Sequence, residues 1–392
     1  MHSHKKNIFR ALPIFLIISR LMLILTLPLE GLRGFGDFIH FYRLAGMGIP
    51  FVDYWVEFPP IFPFFSRLIY SIAGGRQHTY DYLLIFVLTL AQAISLTLFI
   101  RIAEKLYGET QAIGRILVYF AILVCLSYGW WYFDPLAELA FMAALAFLLD
   151  GKDVRSGIMI GMGVLTKLFP ILLVPLVWRM RPIKKAAAIT IIGISIVVVV
   201  YGALFTVAPE MSKASAISQA SKGSWETVWA LLDRNFGTGN FGMENERFVP
   251  ATASLPRGNL PEISPWLTLL PFLGLGGWIF WKAQLNSKRA AIAFLGITWC
   301  IFFIWSPGWS PQWIIYLIPL ILLSVPERQA FLLSLALVFV NLLEWPVLLS
   351  RGYNIGLWFT IPTRTFLFVL VIIVWLGMLF PSRERELSYA GD

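Results

Sequence analysis

Apolar runs of roughly 17 to 23 residues recur from one end of this chain to the other. A helix needs about 20 such residues to cross the hydrocarbon core of a bilayer, and there it satisfies its own backbone hydrogen bonds. Hydrophobic residues make up 58% of the 392 positions and charged residues only 14%, which leaves too little polar surface for a water-soluble protein. We therefore predict an all-α polytopic membrane protein.

About twelve membrane-spanning helices are predicted from these runs. The candidate spans are residues 8–29, 80–100, 112–128, 135–149, a broken pair within 156–178, and 186–208, 265–281, 289–305, 310–324, 329–349 and 363–380. The first run is too long for the apolar region of a secretory signal and no small-residue cleavage site follows it, so we interpret it as an uncleaved span. Residues 1–392 are expected to form a single integral membrane domain.

The basic residues, which give the chain a net charge of +9, lie at the ends of the apolar runs rather than on one patch. We therefore interpret them as orienting charges and predict no nucleic-acid partner. The positive-inside rule then places both termini in the cytoplasm, in a multi-pass protein of the cell membrane. It places on the same side the connections at residues 101–115, 152–155, 179–185, 282–289 and 327–328 and a tail at 381–392.

This orientation requires that the apolar stretch at residues 58–73 does not cross the membrane. Residues 30–79 then form one extracytoplasmic loop, in which Pro59 and Pro60 prevent a long helix and a short helix is expected to lie at the interface. A second large external loop is predicted at residues 209–264, which lack an apolar run of spanning length. The domain is thus divided into helices up to residue 208, the second loop, helices at 265–380 and the tail.

Three carboxylates, at Asp37, Asp53 and Glu57, are close in sequence within the first loop. Asp37 and Tyr42 follow the first span, where a short amphipathic helix would aim the carboxylate along the bilayer surface. The alternative is a solvated loop in which Asp37 is simply the first residue of a helix. The residues alone leave both interpretations open.

Three motifs follow one another along the chain. The first loop contributes Asp37, Tyr42, Gly48, Pro50, Phe51, Asp53, Glu57, Phe58, Pro59 and Pro60. The second motif is Gly157, Gly161, Gly163, Lys167 and Pro170, and the third is Ser306, Pro307, Ser310, Pro311, Gln312 and Trp313. Together they resemble the GT-C glycosyltransferases, above all family 87, the polyprenol-phosphate-mannose-dependent α-mannosyltransferases. The chain departs from that family at residues 129–134, where a Gly-Gln pair is usual, and its second loop contains no histidine.

The resemblance implies a GT-C-like fold and an inverting transfer of a sugar, expected to be mannose, from a polyprenyl-phosphate donor to a glycan or glycolipid acceptor in the bilayer. It implies that Asp37 is the general base. One base suffices, because the departing phosphate is stable without a proton, whereas glycosidases need a second carboxyl as acid. No metal-ligand spacing is present, and the assistance of a divalent cation is left open. Substrate binding is expected at Tyr42, Asp53, Glu57, Lys167, Gln312 and Arg364.

Each assignment has a structural alternative. Lys167 and Arg364 would also serve as basic anchors that reach the membrane interface from helix ends. Gln312 would cap the helix after Pro311, and the glycines of the second motif would permit close helix packing. For the whole chain, the alternative is a transporter or a lipid-linked-sugar flippase without transferase activity. The concentration of acidic residues in the external loops, rather than at mid-membrane, favours the transferase.

Overall fold

The computed structural model describes residues 2–219, 221–239 and 242–380. The described residues form helices joined by turns, with no β-strand beyond isolated bridges between single residues. The α-helices are α1 (His2–Thr26), α2 (Leu29–Arg33), α3 (Phe38–Gly46), α4 (Ile61–Ile72), α5 (Gln77–Cys125), α6 (Tyr128–Trp131), α7 (Asp134–Leu149), α8 (Asp153–Thr166), α9 (Val174–Met180), α10 (Ile183–Val207), α11 (Pro209–Ser218), α12 (Val228–Asp233), α13 (Pro265–Lys282), α14 (Lys288–Trp305), α15 (Ile314–Ser324), α16 (Glu327–Leu342) and α17 (Leu357–Leu379). Shorter 3₁₀ or π turns lie at Phe169–Leu173, Glu244–Phe248, Pro250–Ser254, Pro311–Trp313, Leu343–Leu348, Leu349–Arg351 and Asn354–Gly356.

Six helical segments among the described residues are long and apolar enough to cross a bilayer. They are Phe9–Thr26, Gln77–Cys125, Ile183–Val207, Lys288–Trp305, Glu327–Arg351 and Asn354–Leu379. The predicted fold class, an all-α polytopic membrane protein, is therefore confirmed. The total of about twelve spans stays a prediction, since helices such as α7, with 16 residues, are shorter than these six. The predicted tail at 381–392 lies outside the described residues.

Two predicted spans, 80–100 and 112–128, belong to the single helix α5, which bends at Gly108. There the backbone leaves the helical region, with φ 74° and ψ 163°. A positive φ of this size is accessible to glycine at little cost. Beyond the bend, Arg115 donates a hydrogen bond to the carbonyl of Val325 at 2.8 Å, which ties the second half of α5 to the end of α15.

Helix α7 lies at the centre of the bundle and is buried along nearly its whole length, against α5, α8 and α15. A helix that is apolar on all faces is expected in such an interior position. Its buried Glu138 accepts a hydrogen bond from the hydroxyl of Tyr119 at 2.7 Å. Because α7 is fixed on all sides, its first residue, Asp134, has a fixed position too.

The predicted broken pair at 156–178 is present as α8 and α9, joined through a 3₁₀ turn. Lys167 lies at the joint with an extended backbone, so α8 ends where the second motif predicts the break. Two of the motif's glycines pack against α10: a Cβ at Gly161 would come within 2.7 Å of the carbonyl oxygen of Gly193, and one at Gly157 equally close to that of Ile189. The third, Gly163, packs against Pro170 and against Ala140 of α7. Close helix packing is thus the role of these glycines.

Helix α4 is the short helix expected within residues 58–73. It has 12 residues and directly follows Pro59 and Pro60. At 1.5 Å per residue it is about 18 Å long, which is well short of the roughly 30 Å hydrocarbon core. The helix therefore does not span a bilayer, as the predicted topology requires.

Gly161→Ala is expected to destabilise the protein by about 1–3 kcal/mol, because the added methyl group meets a backbone oxygen that cannot rotate away. The measurement is the free energy of unfolding in mixed micelles. Gly202→Ala is the matched control: Gly202 lies in α10, and nothing lies within 4 Å of its added Cβ. Equal stability of the two variants would contradict the close packing of α8 on α10.

Candidate active site

A cavity of about 850 Å³ lies between the first loop (residues 30–79), the second loop (residues 209–264) and the membrane helices. Its volume is typical of small-molecule sites, and its mostly apolar wall carries a few charged groups, as such sites do. Four of the predicted site residues line it: Asp37, Glu57, Lys167 and Gln312. The second loop contributes Ser215, Ala216, Gln219, Lys222, Trp225, Glu226, Thr238 and Gly239.

Asp37 is held at the cavity by the packing of the first loop on α6. Its main-chain N–H donates to the carbonyl of Trp131 at 3.1 Å. A Cβ at Gly36 would come within 2.7 Å of that same carbonyl oxygen, so only glycine permits the close approach. The Asp37 side chain makes no capping hydrogen bond to α3 and lines the cavity instead. Asp37 therefore does more than begin a helix, because its carboxylate faces the cavity.

The pKa of Asp37 is raised to about 6, because the surrounding protein removes water from the carboxylate. The positive charges of His40 and Lys167 oppose this rise. A carboxylate with this pKa is a stronger base than a solvated aspartate, whose pKa is about 3.9, and it is still mostly ionised at pH 7. Asp37 can therefore take a proton from a hydroxyl group placed in the cavity.

Lys167 does not extend to the membrane interface as an anchor. Its Nζ donates to Oδ1 of Asp134 at 2.6 Å, and the hydroxyl of Tyr316 lies 3.2 Å from the same oxygen. The ammonium group lies within about 5.5 Å of the ring centroids of three aromatic residues, Phe133, Phe169 and Trp313. The second and third motifs therefore converge here, and Lys167 presents a fixed positive charge to the cavity.

Glu57 and Arg247 form an ion pair whose side chains are both fully buried. Arg247 donates to both carboxylate oxygens, and Nε2 of His40 lies 3.2 Å from one of them. Burial alone would raise the pKa of Glu57, but the charges of Arg247 and His40 and their hydrogen bonds together outweigh burial and hold that pKa well below its ordinary value. Glu57 is therefore a permanently ionised group that joins the two loops.

The charged residues of the second loop were not predicted as site residues. Lys222 lies 4.3 Å from the ring centroid of Trp225, and burial lowers its pKa to about 7. Glu226 is 2% exposed and has a positive φ of 52°. The sequence marks these residues only weakly, by a tryptophan, Trp225, that lies between Lys222 and Glu226 in a loop. Among the described residues, no three His, Cys, Asp or Glu side chains are grouped so as to hold a metal ion.

Three predicted binding residues do not line the cavity. The hydroxyl of Tyr42 donates to the carbonyl of Gly75 at 2.6 Å, which closes the first loop on itself. Asp53 accepts a hydrogen bond from the main-chain N–H of Ile49 at 2.6 Å and so stabilises a local turn. Arg364 is no interfacial anchor either, because it is 2% exposed and paired with Glu344 inside the protein.

Apolar side chains of the membrane helices form one side of the cavity wall. Leu168 and Ile171, at the α8–α9 joint, line the cavity and are also 52% and 42% exposed. Phe302 and Trp305 of α14 line the cavity beside them. The cavity therefore combines apolar side chains with charged groups.

A model of glycosyltransferase family 87 matches residues 63–307, more than half of the chain. The chain belongs to glycosyltransferase family 87. Among solved structures, ArnT from Cupriavidus metallidurans in its apo state is similar to this family 87 chain with a TM-score of 0.36 and 14% identity, over 86% of the chain and 71% of ArnT. An oligosaccharyltransferase from Archaeoglobus fulgidus, in complex with zinc and sulfate, is similar with a TM-score of 0.36 and 12% identity, over 96% of the chain and 56% of its own length. No curated protein sequence matches significantly.

Family membership and the apolar helices make this chain a membrane glycosyltransferase, and the predicted family is confirmed. The matched residues include Lys167 and the whole second loop. Asp37 and Glu57 precede the matched region and Gln312 follows it, so their roles depend on the geometry of the cavity.

Arg247→Met is expected to cost about 3–5 kcal/mol in the free energy of unfolding, because it leaves the Glu57 carboxylate buried without its counter-charge. Replacing both residues by Met should cost less than this single change, since no unpaired charge remains. Arg43→Met is the control, because the Arg43–Glu244 pair joins the same two loops at their exposed surface and should contribute at most about 1 kcal/mol. A loss no larger for Arg247→Met than for Arg43→Met would contradict the role of the buried pair.

Proposed function

We propose that this family 87 chain is an inverting mannosyltransferase that uses a polyprenyl-phosphate sugar as donor and a glycan or glycolipid as acceptor. The observation that carries the proposal is the position of Asp37, a carboxylate with a raised pKa that lines an 850 Å³ cavity together with Lys167. A base and a cation in one partly apolar cavity suit a reaction that deprotonates an alcohol and releases a phosphate.

The chemistry is one displacement. The acceptor hydroxyl oxygen attacks the anomeric carbon of the donor while the bond from that carbon to the phosphate oxygen breaks, and the electron pair leaves with the phosphate. Asp37 takes the hydroxyl proton. A single displacement inverts the anomeric configuration. The leaving phosphate needs no proton from the protein, so one carboxylate suffices, in contrast to the pair that glycosidases use.

The leaving phosphate gains negative charge on the oxygen that was bonded to the anomeric carbon. Lys167 is the cation that we assign to this group, with Lys222 as a second positive charge on the cavity wall. Gln312, also on the wall, is assigned a hydrogen bond to the sugar or the phosphate. The exposed apolar side chains of Leu168 and Ile171 on the cavity wall suit the polyprenyl chain.

The remaining predicted binding residues take structural roles in this proposal. Glu57 fixes the second loop through Arg247, while Tyr42 and Asp53 shape the first loop. The chain is proposed to be one integral membrane domain with the boundaries given above, which combines both loops with the helices at a single cavity.

The cavity is proposed to face the extracytoplasmic side. Basic residues concentrate at the ends of other helix pairs, where Arg101 and Lys105 contact Asp150, and Arg181 contacts Asp153. The positive-inside rule assigns such ends to the cytoplasm, together with both termini. The family match supports a transferase over the transporter or flippase alternative.

Asp37→Asn should lower turnover about 10²- to 10⁴-fold, the contribution of a general base, because the amide cannot accept the hydroxyl proton. The measurement is mannose transfer from radiolabelled polyprenyl-phosphate-mannose to candidate acceptors, with melting temperature as the test of folding. Glu30→Gln, an exposed carboxyl of the same loop, should retain normal activity. A folded Asp37→Asn protein with wild-type turnover would refute the mechanism.

Activity should also fall as pH falls. Asp37 acts as a base only when ionised, so kcat/KM should decrease about tenfold per pH unit below its pKa of about 6. The pH profile of kcat/KM for the wild-type protein tests this. A profile that stays flat down to about pH 5 would show that no base with a raised pKa limits the reaction.

A further inference from the structure

Two glutamates and one arginine form a buried cluster behind part of the cavity wall. Arg364 donates one guanidinium hydrogen bond to the carboxylate of Glu344 and another to the main-chain oxygen of Glu226. Each of the three residues is at most 2% exposed. Of the three, only Glu226 lines the cavity.

The cluster has one positive charge for two carboxyl groups. Glu344 forms an ion pair with Arg364, and the side chains of Glu226 and Glu344 lie within hydrogen-bonding reach. Two neighbouring carboxylates in a buried site do not both ionise, so one of them keeps a proton. Burial and the negative charge of Glu344 accordingly raise the pKa of Glu226 well above its ordinary value.

The hydrogen-bond pattern agrees with this charge balance. As carboxylates, Glu226 and Glu344 each have a buried oxygen, Oε2, that accepts no hydrogen bond from the described residues. Buried acceptors without a partner are costly. A proton on Glu226 removes the cost for both groups, because the acid then donates to the neighbouring carboxylate.

The backbone holds Glu226 firmly in this position. The main-chain N–H of Trp225 donates to the carbonyl of Pro307 at 3.1 Å, and that of Trp309 donates back to Trp225 at 3.0 Å. The hydroxyl of Thr227 donates to Pro307 as well, at 2.9 Å. These contacts maintain the positive φ of Glu226, a backbone conformation that is uncommon outside glycine.

The surroundings of Glu226 suit a sugar. An acid that donates to Glu344 keeps its carbonyl oxygen as an acceptor for a ligand hydroxyl group. Two indole side chains, Trp225 and Trp345, line the same cavity. Aromatic faces with a few fixed polar groups bind the C–H face of a pyranose and select its hydroxyl groups.

We propose that Glu226 is a neutral carboxylic acid that accepts a hydrogen bond from a hydroxyl group of a hexopyranose in the cavity, with Glu344 and Arg364 holding its proton in place. This inference rests on the proposed function, since it assigns part of the same cavity to the sugar. It also gives Arg364, expected from sequence to bind substrate, a positioning role.

The protonation state of Glu226 is tested first, by infrared spectroscopy of the full-length protein in micelles at pH 7. The difference spectrum of wild type minus Glu226→Gln should contain the C=O stretch of one carboxylic acid, shifted in D₂O. A difference spectrum with only carboxylate bands would overturn the proposal. This measurement requires neither substrate nor activity.

The subsite is tested by ligand binding to Glu226→Met and Glu226→Gln, with polyprenyl-phosphate-mannose, polyprenyl phosphate and methyl α-mannoside as probes. Met removes the acceptor and should weaken binding of a mannose-bearing probe about tenfold, the loss expected for one hydrogen bond. Gln reproduces the neutral acid, with its amide N–H toward Glu344 and its oxygen toward the sugar, and should weaken binding less than about threefold. Glu262→Met, an exposed change in the same loop, is the control.

The probes separate the two sources of sugar. Weaker binding of polyprenyl-phosphate-mannose but not of polyprenyl phosphate would assign the subsite to the donor sugar, and weaker binding of methyl α-mannoside alone would assign it to the acceptor. Unchanged affinity for both mannose-bearing probes in Glu226→Met, or an equal loss for polyprenyl phosphate, would overturn the subsite. A wild-type protein that binds no mannose-bearing probe would instead refute the proposed donor, while the infrared result would still decide the state of Glu226.

Discussion

The cavity depends on the buried ion pair between Glu57 and Arg247. Removing two charges from water costs several kcal/mol per ion, and this cost is offset only when geometry and hydrogen bonding are nearly complete. Here Arg247 contacts both carboxylate oxygens, and the adjacent Trp55 donates its main-chain N–H to the carbonyl of Arg247 at 3.0 Å. The main-chain N–H of Val56 also bonds to the hydroxyl of Ser215. Separating the two residues would leave each charge buried without its counter-charge, at a high cost in free energy. The ion pair therefore holds the two loops together at the cavity.

The same ion pair divides the acidic residues of the first loop into two kinds. Glu57 has its counter-charge beside it and stays ionised, whereas Asp37 has no ion pair within the described residues and is stabilised only by more distant charges. Burial acts to raise the pKa of both groups, but the partners of Glu57 more than offset it, so the two pKa values shift in opposite directions. Carboxyl groups whose environments separate their pKa values in this way perform different tasks. In the proposed mechanism, Glu57 maintains the structure and Asp37 takes the proton.

The sequence could predict features that depend on apolar runs and backbone restrictions. The break at Lys167, the packing glycines of α8 and the short helix after Pro60 are of this kind, because hydropathy, glycine and proline act locally. Arg247 and Glu226 could not be predicted as site residues. Their partners lie far away in sequence, and no regular spacing of residue types identifies these positions. Arg364 shows the same limit, because a basic residue near a helix end looks the same whether it faces lipid or a buried Glu344.

The charges around the cavity are nearly balanced before any ligand binds. Lys167 is paired with Asp134, so a phosphate does not meet an isolated cation there. Lys222 differs, because burial has lowered its pKa to about 7 and part of its population is neutral at that pH. A nearby negative charge favours the protonated form of an amine. In the proposed mechanism, an incoming phosphate therefore raises the pKa of Lys222, which takes up a proton as the phosphate binds. The wall thus avoids the cost of two buried cations before the donor binds.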